Sequence, residues 1–128
     1  MKSLRGKGQY QSVNSKHEYS VEVLSYYGEK EKLFYALSLS LDIVGAGASE
    51  LEAINNFNDL LEDFVKYVCS KQTIASELIR MGWDVKIKGN NEFTAKSPTI
   101  EDLKSNPDWA DIWSKNPKIN NRQVEFAL

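Results

Sequence analysis

Residues 33–68 read LFYALSLSLDIVGAGASELEAINNFNDLLEDFVKYV. The first part has a period of two, with Leu33, Tyr35, Leu37, Leu39, Leu41 and Ile43 alternating with Phe34, Ala36, Ser38, Ser40 and Asp42. That spacing predicts one long strand with a leucine-rich face. Gly45 and Gly47 permit a bulge or sharp bend after it. At Ser49 the period changes to three and four: Leu51, Ile54, Phe57, Leu61, Phe64 and Val68 recur, and Glu52, Asn55, Asn56, Asp59, Glu62, Asp63 and Lys66 fill the other positions. Ser49 and Glu52 stand at the capping-box spacing, in which the hydroxyl accepts from a free backbone N–H and the acid reaches back to the cap. A helix from Ser49 to about Cys69, about 30 Å long, therefore carries one apolar stripe that must lie on an apolar partner. The leucine face of the preceding strand is the nearest candidate.

Working outward, Tyr19, Val21 and Val23 alternate with Ser20 and Glu22 as an earlier strand, joined to the leucine strand by a hairpin turn around Gly28, Glu29 and Lys30. The fold class expected is α+β, an antiparallel sheet covered by a long amphipathic helix. Beyond Cys69, Thr73 to Met81 reads as a short helix ended by Gly82, and Trp83–Lys88 with Glu92–Lys96 as a hairpin about Gly89-Asn90-Asn91. Helix starts fall at Pro98-Thr99 and Asn106-Pro107, and a final strand runs from Arg122 to Ala127. Three regions result: a basic tail or edge strand (1–17), a hairpin and helix core (18–70), and an α/β C-terminal extension (71–128) expected to pack into the same domain.

The 128 residues hold 16 Lys and Arg against 18 Asp and Glu, and are 41% hydrophobic and 27% charged, which excludes collagen-like and wholly disordered chains. No stretch approaches the roughly 18 consecutive apolar residues of a membrane span, and MKSLRGKGQYQSV at the start has no apolar core of a secretory signal. A cytoplasmic protein is expected. The single Cys69 lies on the apolar helical stripe, as a buried thiol in a reducing compartment would. Charge is segregated: residues 1–17 carry Lys2, Arg5, Lys7 and Lys16 without an acid, whereas Ser49 to Cys69 holds five acids against one Lys. The basic start reads as a tail or edge strand, with a nucleic-acid-contacting arm as the other reading.

Reactive groups are sparse. His17 is the only His, so neither a Ser-His-Asp set nor a zinc site of His and Cys can be assembled around a cluster. Gly45-Ala46-Gly47 lacks the Lys-Ser/Thr ending of a phosphate loop. Glu22 and Asp42, on the polar faces of neighbouring strands, are the one carboxylate pair to consider for a divalent ion, and solvated strand positions are the simpler reading. Trp109 and Trp113, one helical turn apart, fit a core or an interface anchor better than a base-stacking platform. Lys86, Lys88 and Lys96 alternate with apolar residues as the solvated face of a half-buried strand does. No catalytic residue, metal site or cofactor is expected.

The segment Glu18 to Val68 resembles the HicB antitoxin family, whose N-terminal domain is a partial RNase H-like fold. The words that carry the resemblance are the strand Tyr35-Ala36-Leu37-Ser38-Leu39-Ser40-Leu41 and the helix opening Gly47-Ala48-Ser49-Glu50-Leu51-Glu52-Ala53-Ile54-Asn55-Asn56. The chain departs from the family pattern twice. It has no Pro-Asp-Leu-Pro-Gly type loop between the second and third strands, so that the third is either short or fused with the second. Strand-like Trp83-Asp84-Val85-Lys86-Ile87 follows Gly82 where a DNA recognition helix would stand. The resemblance implies a non-catalytic protein that binds and blocks a small basic RNase toxin of the HicA type, with Glu50, Glu52, Asp59, Glu62 and Asp63 facing the partner and homo-oligomers anchored by Trp109 and Trp113. The alternative is a nucleic-acid-binding regulator without a toxin partner, although no recognisable DNA or RNA module supports it.

Overall fold

Period-two sequence from residue 16 onward forms β1 (Lys16–Gly28), a 13-residue strand long enough to serve two different partners. The computed structural model describes residues 16–71, 73–89 and 92–127; Lys2, Arg5, Lys7 and the turn residues Asn90 and Asn91 lie outside them. The second half of β1 pairs with β2 (Leu33–Ser38), from Leu24↔Leu37 to Gly28↔Leu33. Its other side pairs with β6 (Lys118–Ala127), from Lys16↔Ala127 to Ser25↔Lys118. With β3 (Ile43–Gly47) against β2, the sheet order is β3-β2-β1-β6, every pair antiparallel. A ribbon of β4 (Asp84–Gly89) and β5 (Glu92–Lys96) stands apart from this sheet. The helices are α1 (Glu50–Lys71), α2 (Ile74–Arg80), α3 (Ile100–Ser105) and the single turn α4 (Ala110–Trp113). The chain is thus α+β, and its last strand, expected from Arg122, starts earlier, at Lys118.

The long strand expected over Leu33–Ile43 is broken. It ends at Ser38, turns through Leu39–Asp42, and resumes as a separate β3. The cause lies on β1. The carboxylate of Glu22, only 5% exposed, accepts from the backbone N–H of Leu39 (2.7 Å) and Ser40 (3.0 Å) and from the Ser40 hydroxyl (2.6 Å). These donors would otherwise continue the ladder. Asp42 completes the reversal with φ +57°, a left-handed conformation that Asp tolerates better than most residues. The buried indole of Trp83 grips the same turn from the other direction, donating to the Ser40 carbonyl at 2.7 Å.

Only part of the leucine face meets α1, contrary to the expectation above: Leu41 and Ile43 lie in the α1 cluster, whereas Leu37 and Leu39 do not. Ala53, Phe57, Leu61 and Val68 of α1 share a buried cluster with Val21, Ala36, Ile43, Val124 and Phe126 of the sheet. Leu24, Leu37 and Leu39 form a second cluster with Leu103 of α3, flanked by Tyr26, Tyr35, Trp109, Ile112 and Trp113. Close approach explains the choice. A Cβ on Gly45 would stand 2.5 Å from the Phe57 backbone nitrogen and 2.8 Å from the Ala53 carbonyl oxygen, so the helix backbone rests almost directly on β3. Small residues are needed there, and leucines fill the wider space opposite.

Helix ends follow their local chemistry. The Ser49 hydroxyl accepts from Glu52 N–H (3.1 Å), and the Glu52 carboxylate reaches past the cap to Ala48 N–H (3.1 Å). Thr99 and Asp102 make a reciprocal capping box at α3. Gly82, at φ +92° with nothing within reach of an added Cβ, ends α2 through a backbone conformation that L side chains rarely adopt. Cys69 is half-buried against the first cluster.

Candidate functional site

Packing α1 beside β6, the last strand of the sheet among the described residues, leaves a groove of about 790 Å³. Helix periodicity supplies one wall: Asn58, Asp59, Leu61, Glu62, Val65 and Lys66 recur on the flank of α1 that turns toward β6. The other wall is the consecutive run Arg122–Glu125, with Glu18 of β1, which pairs with Glu125 in register. Successive strand residues point to opposite sheet faces, so four in a row line one groove only along the strand's edge. Leu61 and Val124 make a buried apolar floor, and the rim carries carboxylates at Glu18, Asp59, Glu62 and Glu125 against the cations Lys66 and Arg122. Both cations are engaged. Arg122 donates to the Asn58 side-chain oxygen and the Gln123 carbonyl, each at 3.1 Å, and Lys66 stands 3.9 Å from Glu62.

The five acids of α1 therefore separate by role. Asp59 and Glu62 face the groove, and Asp63 is exposed. Glu52 is held as a cap. Glu50 is bound across the fold by Lys118 at 2.9 Å, whose donated hydrogen bond and positive charge hold the Glu50 carboxyl below its ordinary pKa. Trp109 and Trp113 are half-buried on the second cluster, and the Trp113 indole donates to the Leu103 carbonyl at 3.1 Å.

Glu22 and Asp42 are differently employed. Glu22 is buried and saturated by its turn donors, whereas Asp42 is exposed, so the solvated position expected of Glu22 is replaced by a structural anchor. Among the described residues no three His, Cys, Asp or Glu side chains gather where they could hold a metal ion. His17 stacks on Phe93 with ring centroids 4.2 Å apart, and its Nδ1 lies 2.9 Å from the Tyr19 hydroxyl. Lys86, Lys88 and Lys96 are exposed on the β4–β5 ribbon, Lys86 opposite Thr94 and Lys96 opposite Asp84.

Sequence reasoning located the acids of α1 but not Glu18, Asn58 or the Arg122–Glu125 wall. No local signal marks them, because the groove exists only through the pairing of β6 with β1 across the length of the chain. No described helix is long and apolar enough to cross a membrane. Comparison with known proteins adds no relative: no family model, no curated protein and no solved structure matches this chain.

Proposed function

We propose that this protein is a non-catalytic, HicB-like antitoxin that binds a small basic RNase and neutralises it by steric occlusion. The observation that carries the reading is the groove between α1 and β6, whose apolar floor and carboxylate-rich rim suit a cationic protein surface. A partner that grips RNA must present positive charge, and an acidic surface both speeds its encounter and competes with phosphate for it. The hairpin, glycine bend, capped helix and buried α1 stripe support the finer reading of a partial RNase H-like fold with its long helix laid over the sheet. Self-association belongs to the same proposal, with the half-buried rings of Trp109 and Trp113 as anchors.

Co-expression with the product of the adjacent gene tests it. A complex that silences the RNase is expected, and reversing Asp59 and Glu62 to Lys slows association and flattens its salt dependence, because rim charges act mainly on encounter. Glu50 and Glu52 are poor choices for reversal, since Lys118 and the Ala48 N–H already hold them. Absence of a complex, together with nucleic-acid binding that weakens steeply with salt and is lost on replacing Lys86, Lys88 and Lys96, transfers the assignment to a nucleic-acid-binding regulator.

A further inference from the structure

Two rings packed against the second cluster each carry a cation of this chain. Lys104 Nζ lies 5.4 Å from the centre of the Trp113 ring, and Lys115 Nζ 5.8 Å from that of Tyr26. Trp109, in the same cluster, has no such cation among the described residues. Its half-buried ring instead borders a concavity of about 360 Å³, floored by buried Leu39 and walled by Met81, Arg80 and Asp42. The two charges there are not equivalent. Arg80 is held by Glu77, with Nε donating to Oε1 at 2.9 Å and Nη2 standing 2.8 Å from the same oxygen. Asp42 is exposed and has no ion-pair or side-chain hydrogen-bond partner among the described residues. One uncompensated carboxylate therefore shares a hollow with an indole face and an apolar floor.

We infer that this hollow is a socket for one arginine side chain presented by a partner protein. The aliphatic stem lies along Leu39 and Met81, the guanidinium stacks on the Trp109 ring, and the Asp42 carboxylate accepts its N–H donors. Arginine suits the site better than lysine, because its planar, weakly hydrated cation meets a ring face and a carboxylate together. Local charge selects a cation: with Arg80 compensated by Glu77, Asp42 sets the sign of the hollow. Trp113 borders a separate concavity with Pro117 and Ile119, so it remains the anchor for self-association while Trp109 receives the arginine. The inference goes beyond the antitoxin reading and does not depend on it, since the socket shares no residue with the α1–β6 groove.

The test uses the full chain and a Gly-Arg-Gly peptide blocked at both ends, followed by NMR at the indole N–H signals. Citrulline in place of arginine keeps the shape and removes the charge, and lysine keeps the charge and removes the plane. The arginine peptide is expected to shift the Trp109 signal saturably and to bind at least about tenfold more tightly than the citrulline peptide, with the lysine peptide between them. Two variants address the charge balance. Asp42→Asn deletes the carboxylate, and Asn accepts the left-handed backbone of this position as Asp does; it is expected to abolish the preference for arginine over citrulline. Glu77→Gln leaves Arg80 uncompensated and is expected to weaken arginine binding as well. Equal binding of the arginine and citrulline peptides overturns the inference, as does undiminished binding in both variants or a shift confined to Trp83 and Trp113. Tighter binding of free arginine than of the blocked peptide overturns it in favour of a small metabolite. A Trp109 signal that moves with protein concentration alone overturns it in favour of a second copy. No RNase enters the measurement, so its failure is separable from failure of the antitoxin reading, which co-expression decides.

Discussion

The two faces of the sheet are packed by opposite means. Toward α1 the closest approach is made by small residues, Ala36 and Gly45 on the sheet and Ala53 on the helix, where backbone lies against backbone, with Phe57, Leu61 and Phe126 packed around it. Toward α3 and α4 the space is filled by large side chains, with Leu24, Leu37, Leu39 and Leu103 buried and Trp109 and Trp113 half-buried around them. Side chains repack more readily than backbone moves, and volume-conserving changes are the best tolerated. The α1 side is therefore the face on which an added atom matters, whereas the opposite face responds mainly to lost contacts.

The largest break in this asymmetry is Phe57→Ala. Phe57 is 1% exposed and sits where α1 meets the sheet, so truncation removes apolar burial and leaves a cavity, with an expected loss of about 3–5 kcal/mol in urea unfolding. A loss below about 1 kcal/mol would show that the helix settles into the space. Gly45→Ala sharpens the comparison from the other direction, because it adds one methyl group rather than removing a ring. The new Cβ would meet the Phe57 nitrogen and the Ala53 oxygen, neither of which is a flexible side-chain end. The expected loss is about 1–3 kcal/mol, and Gly89→Ala, where the nearest atom is the end of the Glu92 side chain at 3.3 Å, serves as the tolerant control.

Much of this was legible from the sequence, and the failures have physical reasons. The α1 stripe and its Ser49 cap are local, written in spacings of three and four, and they stand in the structure as Glu50–Lys71 with the Ser49 hydroxyl on Glu52 N–H. The break after Ser38 was invisible because Leu-Ser alternation runs straight through it, while the group that stops the strand, Glu22, lies far earlier in the chain. Choosing the helix-facing side of the sheet by hydrophobicity favoured the leucines. Steric approach favoured Ala36 and Gly45 instead, and a periodicity argument counts apolar residues without measuring how near a backbone must come. Of the candidate site, the charges were legible and their availability was not: Lys118 neutralises Glu50 from the far end of the sequence.

On the large-residue face, Trp113→Phe keeps most of the ring and removes the indole donor to the Leu103 carbonyl. The expected loss is about 0.5–1.5 kcal/mol, the usual net value of one hydrogen bond. A larger loss would mean that this face is as intolerant as the one beneath α1, and the contrast drawn above would fail.

The smallest effect expected is a pH dependence at the rim of the α1 side, where His17 stacks on Phe93 and ties the β4–β5 ribbon to β1. Burial lowers the pKa of His17 from its ordinary 6.5, and its Nε2 is buried without a hydrogen-bond partner among the described residues, so the folded protein favours the neutral ring. The sign follows from linkage. With the folded pKa below the unfolded one, the unfolded chain binds the proton more readily, and stability rises with pH wherever that difference operates. The contribution of His17 is fully present above pH 6.5, declines as pH falls through that value toward the folded pKa, and levels off below it. Carboxylates titrate at lower pH in any variant, so the informative quantity is the difference between the natural chain and His17→Phe, which keeps the stack and deletes the titration. Urea midpoints at pH 7.5 and 5.5 should fall further for the natural chain than for the variant; parallel falls would assign the pH dependence to other groups and leave the His17 stack without an electrostatic role.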